Sequence, residues 1–201
     1  METLRVRCDQ DGINIAVRTI KNGGTIVFPT DTVYGIGCDP YNQNAIKSIY
    51  QIKKRVHSKS FPILGLSKKE LLEVAIFDEK ANKIADKYWP GQITLVLKLR
   101  DKKLKQILNL DDKIAVRVPN NECVLAILKK CKLIVGTSAN ISGSQSFKDP
   151  EECIKNISGY DLFVDGGIIS SKGESTVIEI DKELKVGRKG VISEEEIMEL
   201  F

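Results

Sequence analysis

Short runs of apolar, β-branched residues alternate with amphipathic segments along the whole 201-residue chain. Residues 25–28 and 133–135 are typical of buried strands, whereas residues 13–21 carry apolar side chains at helical spacing and are followed by two glycines. The alternation predicts an α/β (α+β) protein with one open, twisted, mixed sheet and flanking helices. No linker or internal repeat interrupts the pattern, so we expect a single domain over residues 1–201.

The charge balance favours a small anionic substrate. The chain has 31 Lys and Arg residues against 27 Asp and Glu residues, a formal net charge of +4. Nucleic-acid binding usually needs more clustered positive charge than this excess indicates. No apolar run approaches the ~20 residues that a membrane helix needs, and no signal-peptide pattern is present. We expect a cytoplasmic protein without a membrane partner.

The five cysteines are scattered along the chain, and no two of them form a Cys-x-x-Cys pair. The only histidine, His57, is close to none of them in sequence, which argues against a zinc site. An odd number of widely spaced cysteines does not resemble a disulfide framework. The sequence therefore predicts free, buried thiols.

Two polar segments directly follow predicted strands. Residues 28–37 place hydroxyl groups at a strand end, where open-sheet proteins often bind ligands, but Thr, Asp and Gly are also ordinary turn residues. Residues 136–143 form a Ser-, Thr-, Asn- and Gly-rich turn that can offer donors to an anion or can be a simple loop. The P-loop pattern Gly-x-x-x-x-Gly-Lys-[Ser/Thr] occurs nowhere, so neither segment is a nucleotide site of that kind.

Cations occur at two informative places. Lys53-Lys54-Arg55 lies at a predicted helix end, where it complements the helix dipole by ~0.3–1 kcal/mol or forms a phosphate clamp. Arg117 lies inside the apolar strand 114–118, where an unpaired charge is costly. It can pair with an acid such as Asp31 or Glu174, receive a substrate carboxylate, or lie on a solvated strand face.

Seven short motifs occur in order between residues 12 and 193: PTDTVYGIG at 29–37, Lys-x-Arg at 53–55, YWPGQITLVLK at 88–98, AVRVP at 115–119, TSANISG at 137–143, DGG at 165–167 and ESTV at 174–177. In this order they resemble the YrdC family, the threonylcarbamoyl-AMP synthases. The resemblance implies an open, twisted α/β sheet with a basic concave groove. It also implies an enzyme that joins L-threonine, bicarbonate and ATP into L-threonylcarbamoyladenylate and releases pyrophosphate.

The same resemblance implies the site residues and partners. The ATP-binding positions are Lys53, Arg55, Ser138, Asn140 and Arg188. The threonine-binding positions are Thr30, Arg117, Ser175 and Ser67, of which Ser67 is equally well explained as a helix cap. Mg²⁺ is expected with ATP, held by phosphate oxygens and water rather than by protein ligands, and no side-chain nucleophile is expected. The product serves N6-threonylcarbamoyladenosine formation at position 37 of tRNA, through downstream transfer proteins and with weak or no direct tRNA binding.

Two other interpretations remain open at the sequence level. One is a non-catalytic RNA-binding module of the same fold, although aromatic residues make up only 6% of the chain and none is arranged as a base-stacking platform. The other is a related carbamoyl-adenylate chemistry, as in carbamoyltransferases that embed a domain of this kind. The absence of companion domains in the sequence counts against it.

Overall fold

The computed structural model describes residues 4–56, 60–181 and 183–201, so His57 lies outside the described residues. The described strands are β1 (Leu4–Arg7), β2 (Ile26–Phe28), β3 (Gly35–Gly37), β4 (Ile63–Gly65), β5 (Ala75–Ile76), β6 (Ile93–Leu99), β7 (Lys113–Arg117), β8 (Leu133–Val135), β9 (Thr137–Ser138), β10 (Leu162–Asp165), β11 (Thr176–Ile180) and β12 (Leu184–Arg188). The described helices are α1 (Gln10–Lys21), α2 (Gln43–Ile52), α3 (Lys68–Leu71), α4 (Glu79–Tyr88), α5 (Lys102–Ile107), α6 (Glu122–Cys131), α7 (Pro150–Asn156) and α8 (Glu194–Met198). None of these eight has the length and apolar character of a bilayer-spanning helix.

The strands form two mixed sheets. The first has the order β1-β10-β2-β3-β9, and the second has the order β12-β11-β6-β7-β4-β8 with β5 paired to β6. The predicted α/β class is confirmed, but the prediction of a single sheet is wrong. Apolar runs identify strands without showing which strands pair, and here β8 and β9 follow each other in sequence yet belong to different sheets.

Gly136 is the single residue between β8 and β9, where the chain passes from the second sheet to the first. A Cβ atom at this position would lie only 2.3 Å from the Leu64 side chain, so any larger residue would force this buried leucine to shift. The Gly136 N–H donates to the carbonyl oxygen of Pro62 at 3.0 Å, which ties the crossing to the segment before β4. The Thr- and Ser-rich turn that follows is thereby held at the junction of the two sheets.

Helix α2 delivers the basic segment to the same junction. Asn42 caps its first turn by accepting hydrogen bonds from the N–H groups of Asn44 and Ala45. The apolar face of the helix is buried in the core, and Lys53 is its C-cap residue. Arg55 therefore emerges from a helix end whose position is fixed by packing.

The cysteines differ from the sequence prediction. Cys8 and Cys123 form a disulfide whose Cα atoms are 5.8 Å apart, although 115 residues separate them in sequence. They meet because α1 packs against α6, a long-range contact that cysteine spacing does not reveal. Among the described residues the free cysteines are Cys38 and Cys153, which are buried as expected, and Cys131, which is half-buried.

Candidate functional site

A cavity of about 280 Å³ is lined by both sheets and lies against the ends of β2 and β7 and the β8–β9 crossing. Its described charged residues are the three arginines Arg55, Arg117 and Arg188 and one acid, Glu174. The cavity therefore carries an excess of positive charge and suits an anionic ligand. Strand ends and a crossing point between sheets are also where ligands commonly bind in α/β proteins.

Arg117 ends β7 and is buried, with 8% of its side chain exposed. Its Nε–H donates to the carbonyl oxygen of Gly91 (2.9 Å), Nη1 donates to Thr32 Oγ1 (3.1 Å) and Nη2 donates to Asp31 Oδ1 (2.6 Å). Burial lowers the pKa of the guanidinium, an effect that Asp31 opposes and Arg188 reinforces. Pairing with Asp31, one of the alternatives that the sequence left open, is the one found, and a solvated strand face is excluded.

The Arg117 fork still has capacity for a ligand. A guanidinium has five N–H donors, and three of them are engaged by Gly91, Thr32 and Asp31. Arg117 also lines the cavity, and its two remaining donors have no hydrogen-bond partner among the described residues. Asp31 Oδ2, in contrast, is buried and lacks a hydrogen-bond partner among the described residues.

Thr30 organises the turn that follows β2. Its Oγ1 donates to the carbonyl oxygen of Val33 (2.6 Å) and accepts from the N–H groups of Thr32 (3.1 Å) and Val33 (3.2 Å). Thr30 nevertheless lines the cavity, as Thr32 does. The turn and ligand interpretations of this segment are therefore compatible, because the same hydroxyl can shape the loop and face the cavity.

Ser175, which directly precedes β11, and Arg188, the last residue of β12, form a second cluster. Ser175 Oγ lies 2.9 Å from Thr94 Oγ1, and Arg188 Nη2 donates to Ser175 Oγ at 3.0 Å. Arg188 also donates to the carbonyl oxygen of Ser175 from Nε (3.1 Å) and from Nη2 (2.9 Å), and its Nη1 is ion-paired with Glu174. Sequence reasoning placed Arg188 and Ser175 in the site but did not single out Thr94. A polar residue within a strand is usually explained by the ordinary alternation of apolar and polar side chains, so Thr94 did not stand out in the sequence.

Lys53 is fully buried, with 1% of the residue exposed. Its Nζ donates to the carbonyl oxygen of Asn140 (2.8 Å), to Asn140 Oδ1 (3.1 Å) and to the carbonyl oxygen of Ser138. These three acceptors use all three donors of the ammonium group, and Lys53 does not line the cavity. Burial lowers its pKa to about 8, with the neighbouring Arg55 adding to the effect and Glu174 opposing it.

Lys53 therefore fixes the shape of the turn that bears Ser138. Ser138 Oγ donates to Asn140 Oδ1 (2.6 Å), and Asn140 Nδ2 donates to the carbonyl oxygen of Ser144 (2.5 Å). Ser138 lines the cavity, whereas Asn140 lies behind it with Lys53. Arg55 also lines the cavity, and its guanidinium lies 5.2 Å from the centre of the Phe61 ring.

Ser67 is the predicted site residue whose contacts are those of an ordinary helix cap. It caps α3, accepts from the Lys69 N–H (3.2 Å) and donates to Glu70 Oε2 (2.6 Å). It does not line the cavity. Six predicted residues do line it: Thr30, Arg55, Arg117, Ser138, Ser175 and Arg188. Thr32, like Thr94, is a lining residue that sequence reasoning missed, and its only sequence signal was its place inside the PTDTVYGIG motif.

The described residues contain no cluster of three or more His, Cys, Asp and Glu side chains that could bind a metal. The cavity offers a single carboxylate, Glu174, which is ion-paired with Arg188. Mg²⁺ prefers near-octahedral oxygen coordination. This donor set fits a cation held mainly by substrate phosphates and water, and does not fit one held by a protein cage.

The sequence and fold of this chain are similar to those of known proteins. A model of the Sua5/YciO/YrdC family, described as "Telomere recombination", matches residues 18–190. The threonylcarbamoyl-AMP synthase of Pyrococcus abyssi is 33% identical over 186 residues, covering 88% of this chain and 53% of that protein. The threonylcarbamoyl-AMP synthase of Aliivibrio fischeri is 30% identical over 183 residues, covering 89% of this chain and 98% of that protein.

Among solved structures, the crystal structure of P. abyssi Sua5 complexed with L-threonine superposes with a TM-score of 0.91 and 32% identity. The match covers 100% of this chain and 61% of that one. The chain thus spans little more than half the length of the P. abyssi relative and nearly the whole length of the A. fischeri relative.

Proposed function

Because the chain belongs to the Sua5/YciO/YrdC family, we propose that it is a threonylcarbamoyl-AMP synthase, which joins L-threonine, bicarbonate and ATP and releases pyrophosphate. The observation that carries the proposal is one cavity that combines a buried arginine retaining two donors with two further guanidinium groups. Such a site can hold two different anions side by side: an amino-acid carboxylate and a chain of phosphates.

The amino acid binds at Arg117. Its carboxylate takes the two donors of the guanidinium that Gly91, Thr32 and Asp31 leave unused. Hydroxyl groups of Thr30 and Ser175 line the same cavity and can hydrogen-bond the bound amino acid. The crystal structure of the relative P. abyssi Sua5 complexed with L-threonine supports threonine as the substrate.

The nucleotide binds along Arg55, Ser138 and Arg188. These side chains line the cavity, and the guanidinium groups match phosphate oxygens in geometry and charge. Lys53 and Asn140 act indirectly in this proposal, because they fix the turn that presents Ser138. Bound Mg²⁺ would supply further neutralisation of the phosphate charge.

The reaction depends more on positioning the two substrates than on covalent catalysis by a side chain. The threonine carbamate oxygen attacks the α-phosphorus, a new P–O bond forms, and the bond to the β-phosphate oxygen breaks to release pyrophosphate. Holding the carbamate and ATP together converts an encounter into an intramolecular step, and the arginines stabilise the charge that develops on the leaving group. No side-chain nucleophile is needed. The product would serve tRNA modification in the cytoplasm through transfer proteins.

The test is to incubate the protein with ATP, Mg²⁺, labelled bicarbonate and L-threonine, and to measure pyrophosphate and a labelled adenylate. Both products should form together, and each should disappear when threonine or bicarbonate is omitted. Pyrophosphate release that does not depend on threonine would contradict the assignment. Tight RNA binding with a steep salt dependence, in a protein without synthase activity, would instead support the non-catalytic alternative.

A further inference from the structure

Glu174 is the one acidic side chain among the described residues that line the cavity. It stands among Arg55, Arg117 and Arg188, and 29% of its side chain is exposed. Asp31, the acid paired with Arg117, does not line the cavity. A carboxylate at this place needs a specific explanation, because it repels the phosphates that the surrounding guanidinium groups are suited to bind.

A role in holding the Arg188 side chain in position does not explain why an acid is present at residue 174. Three hydrogen bonds already fix the Arg188 guanidinium on Ser175, two to the carbonyl oxygen and one to Oγ. Phosphate oxygens bound to Arg188 would compete with Glu174 for this guanidinium and would leave the carboxylate without its ion-pair partner. A partly buried carboxylate without a counter-charge is costly, so the arrangement calls for a cation from the substrate.

We propose that Glu174 binds the α-ammonium group of the amino-acid substrate and accepts its proton. The inference rests on the proposed function and extends it to the activation of the amine. An amino acid whose carboxylate lies on Arg117 carries its ammonium group on the adjacent carbon. Glu174 lines the same cavity next to Ser175, which can hydrogen-bond the substrate, and is therefore within the same compartment as that group.

The proton balance requires such an acceptor. Threonine enters as an ammonium ion, whose nitrogen has no lone pair to donate. When Glu174 takes one proton, the free amine attacks the carbon of bicarbonate, an N–C bond forms, and hydroxide leaves with a second amine proton as water. The products are the threonine carbamate, one water and protonated Glu174, so charge and atoms balance. The carbamate then attacks ATP as described above.

The charged groups around Glu174 fit this order of events. Arg188 on β12, Arg55 after α2 and Arg117 at the end of β7 line the cavity with it, and Lys53 lies within electrostatic range behind them. Phosphates bound to Arg55 and Arg188 would offset the attraction of these two cations for Glu174. The substrate ammonium group then remains as the ion-pair partner of Glu174. We therefore expect Glu174 to be available as the proton acceptor once ATP is bound.

The experiment compares the wild-type protein with Glu174→Gln, Glu174→Asp and the control Glu179→Gln. Glu179 lies on the same chain segment, in β11, but pairs with Lys113 at 2.6 Å and does not line the cavity. Two reactions are measured for each protein. The first is net synthesis from threonine, bicarbonate and ATP. The second is ATP formation from supplied threonylcarbamoyl-AMP and pyrophosphate, which moves no amine proton.

In Glu174→Gln, kcat/KM for threonine in net synthesis should fall by about 10²- to 10⁴-fold, the range for loss of a general base. The loss should shrink as the pH rises between about 7 and about 9, because more of the free threonine amine is already deprotonated. ATP formation from the adenylate should stay within a few-fold of wild type. Glu174→Asp should recover part of the synthesis, and Glu179→Gln should behave as wild type.

Two results would overturn the inference while the proposed function stands: synthesis at the wild-type rate in Glu174→Gln, or an equal loss of both reactions. The second would assign Glu174 a purely structural role. A wild-type protein that forms no threonine-dependent adenylate would overturn the proposed function itself, and the inference with it.

Discussion

Two arginines that line the cavity, Arg117 and Arg188, are each paired with a carboxylate, and the two pairs differ in their surroundings. Arg117 and Asp31 are buried, with 8% and 10% of their side chains exposed, and lie 2.6 Å apart. Arg188 and Glu174 are more open, with 44% and 29% exposed. The first arginine belongs to a strand with neighbours on both sides in the second sheet, and the second belongs to the edge strand of that sheet.

This difference indicates how the two halves of the site work. Arg117 is held by Asp31, Thr32 and Gly91, so the half of the site that we propose for the amino acid is formed before any ligand arrives. Glu174 and Arg188 form a solvent-accessible pair whose net stabilisation is small, so phosphates can separate them at little cost. The nucleotide half is therefore expected to rearrange on binding.

The largest expected effect is on stability. Asp31→Asn leaves the buried Arg117 charge without its counter-ion, and breaking a buried pair costs about 3–5 kcal/mol. Urea unfolding should show this loss in the free energy of unfolding. Glu174→Gln is the matched control at the open pair and should lose at most about 1 kcal/mol. Similar losses in the two variants would remove the distinction between the pairs.

The next effect concerns threonine. Arg117→Lys keeps a positive charge beside Asp31 but removes the planar fork that can bind a carboxylate through two donors. Losing a charge-assisted hydrogen bond should raise the KM for threonine by about 10- to 100-fold. The KM for ATP should change by no more than about 3-fold, because the phosphates are assigned to Arg55 and Arg188. Steady-state kinetics with each substrate varied in turn would check this, and equal changes in both KM values would argue against separate halves.

Arg188→Gln should raise the KM for ATP more than the KM for threonine, and the increase should be smaller than that expected for threonine in Arg117→Lys. The residue is exposed, and Arg55 shares the same cavity, so the KM for ATP should rise by about 10-fold. The KM for threonine should change less, and the free energy of unfolding should stay within about 1 kcal/mol of wild type. Thermal denaturation together with ATP-dependent kinetics would measure both. A larger loss of stability than of ATP affinity would indicate that Arg188 is a structural residue.

The sequence predicts the pair of Arg117 and Asp31 only in part. Arg117 could be recognised as exceptional because a charged residue interrupts an apolar strand, and Asp31 could be named as a possible partner. Which alternative holds depends on β7 passing beside the turn after β2, and such long-range contacts leave no local pattern. Ser67 shows the opposite case, because its capping pattern is complete within four residues and is read directly from sequence.

Lys53 marks the limit of sequence reasoning on the site itself. A cation at a helix end predicts an exposed charge, yet tertiary packing buries this one against the Ser138–Asn140 turn. The short strands β3 and β9 were concealed for a related reason. They have three and two residues, too few to display alternation, and they lie in segments that the sequence describes as loops or turns.

The smallest predicted effect concerns the more exposed pair, Arg188 and Glu174. In the absence of threonine, Glu174 competes with phosphate oxygens for Arg188, so part of the ATP-binding free energy is used to separate the pair. Glu174→Gln removes that competition and should therefore tighten ATP binding. Exposed ion pairs contribute up to about 1 kcal/mol, so the dissociation constant for ATP should fall by no more than about 5-fold. Calorimetric titration with ATP alone would measure the change, and the gain should shrink at high salt because ions screen the wild-type pair. Weaker ATP binding in Glu174→Gln would mean that the carboxylate positions Arg188 for the nucleotide, and the open pair would then be as preformed as the buried one.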